Sequence, residues 1–221
     1  MEDKSKVYAV IAAYNEEKYI GSVIKNIKKH LDNVIVVDDG SRDETNNIAK
    51  ENKAIVLRHP INIGKGAAIK TGCDFVLNKG GEIMILIDAD GQHDPKEIPN
   101  FLESLKNNDI VFGFRKFNKD MPLMMKIGNN IINTATRFLY NIDLFDSQSG
   151  YRAYNADAYR KIRWDANDYS MESEMIANLG KTRLRYTQIP IQTIYSDIYK
   201  GTTAIDGIKI VINMILWKLR R

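Results

Sequence analysis

The sequence predicts an α/β protein, built on a mostly parallel, doubly wound sheet with helices on both faces. Short apolar segments rich in β-branched residues alternate with segments of helical length along the first half of the chain. This alternation is typical of strand–helix–strand units whose strands pair in parallel. The most apolar segment, residues 83–87, contains no polar residue, as expected of a strand covered on both faces.

The composition is that of an ordinary globular domain. The chain has 221 residues, of which 44% are hydrophobic and 27% charged, enough for one large core. A formal net charge of +4 does not indicate a nucleic-acid partner. Cys73 is a lone cysteine, so no internal disulfide is expected. No signal peptide or segment of about 18–20 apolar residues is recognisable, and we therefore expect a cytoplasmic protein.

The predicted elements follow in chain order. Strands are expected at 7–13, 34–37, 54–57, 83–87 and 109–114, with helices over 15–29, from 41, over 64–78 and over 95–106. The second helix is expected to start at a capping box from Ser41 to Glu44, and the fourth at Asp94-Pro95. Beyond residue 115 we expect a loop, a helix over 122–140, a returning strand at 149–154, a helix at 171–179, a strand at 184–191 and a helix from 203.

Acidic residues follow three of the predicted strands. Asp88 and Asp90 end the strand at 83–87 and, two residues apart, share one side of an extended backbone. Asp38 and Asp39 end the second strand, and Glu16 follows the first. Parallel strands bring their carboxyl ends to one edge, where α/β sheets bind ligands, and carboxylates there suit Mg²⁺ or Mn²⁺ carrying phosphate oxygens. A helix cap explains any one of these acids, but acids at three strand ends favour a nucleotide-sized site.

Glycines flank Lys65 at the start of the third predicted helix, where free N–H groups favour an anion. The spacing is not that of the phosphate-binding lysine loop, and a tight turn explains Gly64 and Gly66 equally well. The dinucleotide glycine fingerprint is absent after the first strand, which argues against an NAD enzyme.

Six motifs then occur in order: YNEE at 14–17, DDGS at 38–41, NIGKG at 62–66, DADGQH at 88–93, GFR at 113–115 and DSQSGYR at 146–152. Through these six motifs, the sequence from residue 6 to 195 resembles the family-2 glycosyltransferases, and within this family it resembles the dolichyl-phosphate mannose or glucose synthases. The resemblance implies a GT-A fold, a nucleotide-diphosphate sugar donor (a UDP- or GDP-sugar), a divalent cation (Mg²⁺ or Mn²⁺), and inversion at the anomeric carbon.

The resemblance also implies roles for individual residues. The nucleoside would be held by Tyr14, Glu16 and Asp39, and the cation by Asp88, Asp90 and Gln92. The catalytic residues would be Asp90, Arg115 and Arg152, with both arginines facing the acceptor phosphate or the leaving group. Further substrate contacts would come from Ala13, Asp38, Gly64, Lys65, Ala89, Asp146, Ser149, Gly150 and Lys200. Lys200 stands where mannose synthases usually carry an arginine, in a segment that departs from the family pattern and leaves the sugar open.

The expected acceptor follows from a missing residue type. A sugar hydroxyl needs a carboxylate general base, often in a Glu-Asp pair, whereas residues 146–149 are Asp-Ser-Gln-Ser. A lipid monophosphate has a second pKa of about 6 and attacks without a base. We therefore favour dolichyl or polyprenyl phosphate. A hydroxyl acceptor in polysaccharide synthesis and a non-catalytic nucleotide-sugar-binding subunit stay as alternatives.

We divide the chain into a GT-A catalytic domain, residues 1–202, and a C-terminal amphipathic helix, residues 203–221. Apolar residues recur on one stripe of this helix: Ile205, Ile208, Ile212, Ile215 and Leu219. Its basic end suits a helix lying on the cytoplasmic face of an anionic membrane. Packing on the domain or against a second subunit, as a homo-oligomer, explains the stripe equally well. Elsewhere, Glu172 and Glu174 could approach the acceptor, but a solvated helix start is the favoured interpretation, and His93 is interpreted as a turn residue.

Overall fold

The computed structural model describes residues 4–115, 123–192 and 204–219. The described residues form one seven-stranded sheet in the order β3-β2-β1-β4-β6-β5-β7. The strands are β1 (Val7–Ala13), β2 (Asn33–Asp38), β3 (Ile55–Arg58), β4 (Ile83–Leu86), β5 (Ile110–Arg115), β6 (Arg152–Asn155) and β7 (Tyr186–Ile191). The helices are α1 (Ile20–Ile27), α2 (Thr45–Glu51), α3 (Lys65–Asn78), α4 (Ile98–Leu105), α5 (Leu123–Tyr140), α6 (Ala156–Ile162), α7 (Met171–Leu179) and α8 (Ala204–Leu219).

The sheet is mostly parallel, and β6 is the strand that runs against its neighbours. It pairs antiparallel with both β4 and β5, placing Arg152 opposite Leu86. A strand that runs backwards begins at the edge where its parallel neighbours end. Residues 146–151, which precede β6, are therefore brought beside the acidic residues that follow β4.

Side chains alternate between the two faces of the sheet, as the period of a strand requires. Val10 points into a core built with α3 and α5 to α8, while Ile11 points into a second core built with α1, α2 and α4. Both faces of the central strands are thus buried, and the prediction of an α/β sheet covered on both faces is confirmed.

The first two predicted helix starts were wrong, for a shared reason. Asn15 has a φ of 55° and so cannot continue a helix, and α1 begins only at Ile20. The backbone N–H of Asn15 donates to Ser41 Oγ at 2.9 Å, and Asn15 Oδ1 accepts from the Arg42 N–H at 2.9 Å. Because Ser41 Oγ serves Asn15, the predicted capping box does not form, and α2 begins at Thr45.

The sequence analysis also overlooked α6, although Asn155 caps it by accepting a hydrogen bond from the Ala158 N–H at 2.7 Å. The terminal helix α8 packs against α5, and the Tyr140 hydroxyl donates to the Met214 carbonyl. Met214 is buried, whereas Ile215 and Leu219 are exposed. Among the described residues, no helix is both long enough and apolar enough to cross a bilayer.

Candidate active site

In the turn after β2, protein groups occupy the carboxylate of Asp38. Asp38 accepts hydrogen bonds from the Ser41 N–H at 2.9 Å and the Asn46 amide at 3.1 Å, and Arg58 Nε lies 3.3 Å from its carboxylate. Its side chain has no exposed surface. This geometry does not support the substrate contact that the resemblance implied for Asp38, because a fully covered carboxylate with three protein partners holds the turn instead.

Asp39 is similarly engaged. His59 Nδ1 lies 2.7 Å from Asp39 Oδ1, and the Ile63 and Gly64 N–H groups donate to its two oxygens at 3.1 and 2.8 Å. Gly64 has a φ of +109°, which side-chain-bearing residues rarely adopt. Since the Gly64 N–H is already committed to Asp39, the tight-turn interpretation of this glycine is favoured over an anion site.

The end of β1 is fastened to the same turn. The carbonyl of Ala13, a buried residue, accepts from the Asp39 N–H at 2.8 Å, and the Glu16 N–H donates to Thr45 Oγ1 at 2.8 Å. Tyr14 is 42% exposed at this edge. The structure therefore brings together, at one sheet edge, the residues from β1 and β2 for which the resemblance implied nucleoside contacts.

The end of β4 is electrostatically different. Asp88 Oδ1 lies 2.9 Å from Lys65 Nζ, and a Cβ added at Gly150 would come within 2.6 Å of Asp88 Oδ2. Burial alone would raise the pKa of Asp88, but the neighbouring Lys65 charge outweighs it and holds that pKa at about 2. Asp88 is therefore an ionised carboxylate, fixed against the backbone of Gly150.

Among the described residues, Asp90 has no counter-ion comparable to the Lys65 ammonium beside Asp88. Burial, and then the negative charge of Asp88, raise the pKa of the Asp90 carboxyl above its usual range. Asp90 Oδ1 accepts a hydrogen bond from the Gln92 N–H at 3.0 Å, which closes the turn. Ala89, between the two acids, is buried. The pair thus carries negative charge that the protein compensates only in part.

His93 is more than the turn residue that the sequence suggested. It is buried and stacks on Tyr151 with ring centroids 4.9 Å apart. Its Nδ1 accepts from the Asp88 N–H at 3.2 Å, and burial lowers its pKa. A neutral imidazole therefore supports the backbone of Asp88.

Two glutamates of α7 are buried, which corrects the prediction of a solvated helix start. Glu172 Oε1 lies 3.2 Å from Lys65 Nζ, so Lys65 bridges Glu172 and Asp88. Glu174 Oε2 accepts hydrogen bonds from the Asp165 and Ala166 N–H groups at 3.1 and 2.8 Å. The sequence offered one signal for this burial: both acids lie within a nine-residue helix whose other residues are mostly apolar.

Arg115, which is partly buried, pairs with the buried Asp146 on the other side of β4. Arg115 Nε and Nη2 donate to the two oxygens of Asp146 at 2.6 and 3.0 Å. Burial opposes ionisation, but Arg115 keeps the pKa of Asp146 below its usual range. Asn129 and the Gln148 N–H also bind Asp146 at 3.1 and 3.3 Å. Asp146 is therefore fully engaged as an ionised acceptor.

Arg152 does not face the open edge, which corrects the role implied for it. Its side chain is almost completely covered, and its guanidinium donates to the carbonyls of Ser147, Ser149 and Glu172 at 2.7, 2.9 and 3.3 Å. Arg152 thus ties the segment before β6 to the first turn of α7. Ser149 is buried as well, and its Oγ has no hydrogen-bond partner among the described residues.

The described residues contain no group of three or more acidic, histidine or cysteine side chains placed to hold a metal. Mg²⁺ usually takes only one or two carboxylates and completes its shell with water and substrate phosphates. Asp88 and Asp90 supply hard oxygen donors and an excess of negative charge. These residues therefore fit a divalent cation that reaches the protein with a diphosphate.

Comparison with known proteins places this edge in a family. The sequence model described as glycosyl transferase family 2 matches residues 8–163, which include all three acidic strand ends. The chain belongs to glycosyltransferase family 2. The predicted family is thereby confirmed, and the protein is a glycosyltransferase.

Relatives of this glycosyltransferase match along nearly its whole length. A UDP-N-acetylglucosamine–dolichyl-phosphate N-acetylglucosaminyltransferase of Methanococcus voltae is 35% identical, over 99% of this chain and 98% of the relative. An undecaprenyl-phosphate mannosyltransferase of Micrococcus luteus is 27% identical, over 97% and 94% respectively. Both names support the dolichyl- or polyprenyl-phosphate branch of the family.

The fold is shared with a solved glycosyltransferase. The glucosyl-3-phosphoglycerate synthase of Mycobacterium tuberculosis, crystallised with Mn²⁺, UDP-glucose and phosphoglyceric acid, superposes with a TM-score of 0.75. The match covers 95% of this chain and 79% of that one at 21% identity. The predicted GT-A fold is confirmed.

One candidate residue of this glycosyltransferase is not described by the structure, and two further residues reach the site. Lys200 lies outside the described residues. Glu172 joins the site through Lys65, and His59 joins it through Asp39. No motif marked either residue, because each reaches the site only when distant segments come together.

Proposed function

We propose that this glycosyltransferase moves a single sugar from a UDP- or GDP-sugar to dolichyl or polyprenyl phosphate, with inversion at the anomeric carbon. The observation that carries the proposal is the partly compensated pair of acids after β4. Asp88 is ionised, and burial together with the charge of Asp88 raises the pKa of Asp90. A divalent cation that grips a diphosphate would relieve this repulsion.

The site residues divide by position around that pair. We assign the cation to Asp88, Asp90 and Gln92, and the nucleoside to Tyr14 and Glu16. Asp39, which is occupied by His59 and two backbone N–H groups, shapes the site together with the chain at Ala13, Gly64 and Ala89. Lys65 lies next to Asp88, where its charge can attract the diphosphate. We assign the acceptor phosphate to Arg115 and Lys200, with Asp146, Ser149 and Gly150 forming the wall on that side.

The proposed reaction is a single displacement. An oxygen of the acceptor phosphate attacks the anomeric carbon from the side opposite the diphosphate. The new carbon–oxygen bond forms as the bond to the diphosphate breaks, and the nucleoside diphosphate leaves with the electron pair. Bound Mg²⁺ or Mn²⁺ would neutralise the charge that develops on the leaving group. The protein then mainly has to align the two phosphates, since the acceptor oxygen is already ionised.

The carboxylates on the acceptor side support a phosphate over a hydroxyl. A hydroxyl acceptor needs a base that is free to take its proton. Asp146 accepts two hydrogen bonds from the Arg115 guanidinium. Glu172 is paired with Lys65, and its side chain is only 5% exposed. Neither carboxylate is placed to collect a proton from a bound sugar. The names of the Methanococcus voltae and Micrococcus luteus relatives agree with a lipid-phosphate acceptor.

A donor panel tests the proposal. Radiolabelled UDP- and GDP-sugars are incubated with the full chain, polyprenyl phosphate and Mg²⁺ or Mn²⁺, and the label is followed into organic solvent. We expect one donor to yield an organic-soluble, mild-acid-labile product, and EDTA to abolish its formation. If no donor delivers label to the organic phase while a saccharide acceptor is extended, the hydroxyl-acceptor alternative replaces our proposal. Binding of a nucleotide sugar without transfer to either acceptor would favour the non-catalytic nucleotide-sugar-binding subunit.

We also propose that the chain divides at about residue 202 into a catalytic domain and a C-terminal amphipathic helix that meets the membrane surface. Ile212, Ile215, Leu216 and Leu219 of α8 are exposed, and Lys218 lies among them in the sequence. An apolar face edged by basic charge suits the surface of an anionic bilayer. The fraction of protein that sediments with anionic vesicles should fall in the double variant Ile215→Ser/Leu219→Ser. Unchanged sedimentation would show that this face does not bind the membrane. Loss of a dimer in ultracentrifugation would assign the face to a subunit interface.

A further inference from the structure

Lys65 has two carboxylate partners that belong to different parts of the fold. Its Nζ lies 2.9 Å from Asp88 Oδ1, after β4, and 3.2 Å from Glu172 Oε1, on α7. The Lys65 side chain is 18% exposed, so both pairs are shielded from water. In this arrangement the ammonium occupies one oxygen of the carboxylate that we assign to the cation.

Glu172 has unused capacity to hold that ammonium. Its Oε2 is buried and has no hydrogen-bond partner in the part of the chain that the structure describes. An ionised carboxylate has about four lone-pair sites, and leaving a buried oxygen unpaired is costly. Lys65 could therefore leave Asp88 and gain a second contact at Glu172, without becoming an unpaired buried charge.

The Asp88 carboxylate and the backbone of Glu172 are held in place by their neighbours, whereas the Lys65 ammonium is held through its ion pairs. Arg152 donates to the Glu172 carbonyl at 3.3 Å and to the Ser149 carbonyl at 2.9 Å. Gly150, the next residue, packs directly on the Asp88 carboxylate. A lysine ammonium sits on a flexible four-carbon stem. The Lys65 ammonium is thus the part of this cluster best able to move.

We propose that Glu172 is a positioning residue that draws Lys65 away from Asp88 and so makes Asp88 available to the divalent cation. The inference rests on the proposed function, since it takes Asp88 as a cation ligand. A lysine and a divalent cation compete for one carboxylate, because their like charges repel across a few ångströms. Glu172 offers the lysine an alternative partner. It acts through Lys65 and does not itself touch the cation.

The test measures Mn²⁺ binding to the full chain by the electron paramagnetic resonance signal of the free ion, without nucleotide. Lys65→Met removes the competitor and should tighten binding, on the order of tenfold. Glu172→Gln leaves Lys65 on Asp88 and should weaken it by a similar factor, on the order of tenfold. In the Lys65→Met background, Glu172→Gln should have no further effect. Lys65→Gln, which removes the positive charge but keeps a polar side chain, replaces Lys65→Met if that variant does not fold.

Glu174→Gln is the matched control. Glu174 is a buried glutamate on the same helix, but its carboxylate binds backbone N–H groups of residues 165 and 166. Its substitution should leave Mn²⁺ binding unchanged. Equal weakening by Glu172→Gln with and without Lys65 would overturn the inference, because Glu172 would then act by charge alone. Equal Mn²⁺ affinity in all chains, or no detectable binding at millimolar Mn²⁺ in any of them, would overturn it as well.

A separate titration distinguishes failure of the proposed function. The unaltered chain is titrated with Mn²⁺ in the presence of UDP and, in parallel, GDP. If neither diphosphate promotes Mn²⁺ binding, the cation assignment itself is wrong. If one does, and the Lys65 and Glu172 variants show no opposite shifts without nucleotide, only the inference about Glu172 fails.

Discussion

The turns after β2 and β4 have similar sequences and backbone geometry, but their carboxylates have different partners. Each follows a buried central strand, carries two aspartates, and turns through a glycine with a φ of 76°, Gly40 in one and Gly91 in the other. In the first turn each carboxylate has three protein partners at hydrogen-bonding distance or slightly beyond. In the second, the described residues supply Lys65 to one oxygen of Asp88, with His93 Nε2 3.7 Å from the other oxygen, and one backbone N–H to Asp90.

The difference separates acids that hold the fold from acids that keep capacity for a ligand. Carboxylates saturated by N–H groups stabilise a turn, and removing them leaves buried donors unpaired. Carboxylates that repel each other cost stability, and a protein keeps such a pair where a cation will join it. Three substitutions test this contrast.

Replacing Asp90 should have the largest effect, and on activity alone. Asp90→Asn should lower the transfer rate on the order of 10²–10³-fold, the usual cost of losing one electrostatic contact to a developing charge. The melting temperature should stay the same or rise, because the substitution removes repulsion between Asp88 and Asp90. Transfer rate and thermal unfolding are measured on the same preparation. A rate within twofold of the unaltered chain would remove Asp90 from the site.

Replacing Asp38 should do the opposite. Asp38→Asn removes a buried charge from the reach of Arg58 and weakens the bonds from Ser41 and Asn46, so we expect a loss of about 2–3 kcal/mol of unfolding free energy. Urea denaturation measures this loss. The rate per folded molecule should change little. Full stability with lost activity would show that Asp38 serves a ligand, as we propose for the acids after β4, and does not hold the turn.

The smallest effect is expected from a single methyl group beside Asp88. Gly150→Ala places a Cβ within 2.6 Å of the Asp88 carboxylate and must shift it, which we expect to slow transfer about 10–100-fold. Gly128→Ala is the control, since a Cβ there meets nothing within 4 Å, and its rate should be unchanged. Equal rates in both variants would mean that the position of Asp88 against Gly150 is unimportant.

Local sequence was sufficient where one segment decides the outcome. The alternation of apolar strands and helices predicted the α/β sheet, and the Asp94 cap was confirmed by its bond from the Lys96 N–H at 3.0 Å. The helix starts near residues 15 and 41 were wrong because Asn15 and Ser41, 26 positions apart, bind each other in place of their own helices. A contact between distant segments cannot be found from the spacing within either one.

The same division applies to the site. The sequence by itself determined that acids follow three neighbouring strands, and its motifs determined the family. Only the tertiary structure decided which acids are neutralised. The antiparallel run of β6 sets Gly150 against Asp88, and the fold brings Glu172 of α7 within 3.2 Å of Lys65 at the start of α3. The charge state of a carboxylate depends on groups within a few ångströms, and folding, not chain order, chooses those neighbours.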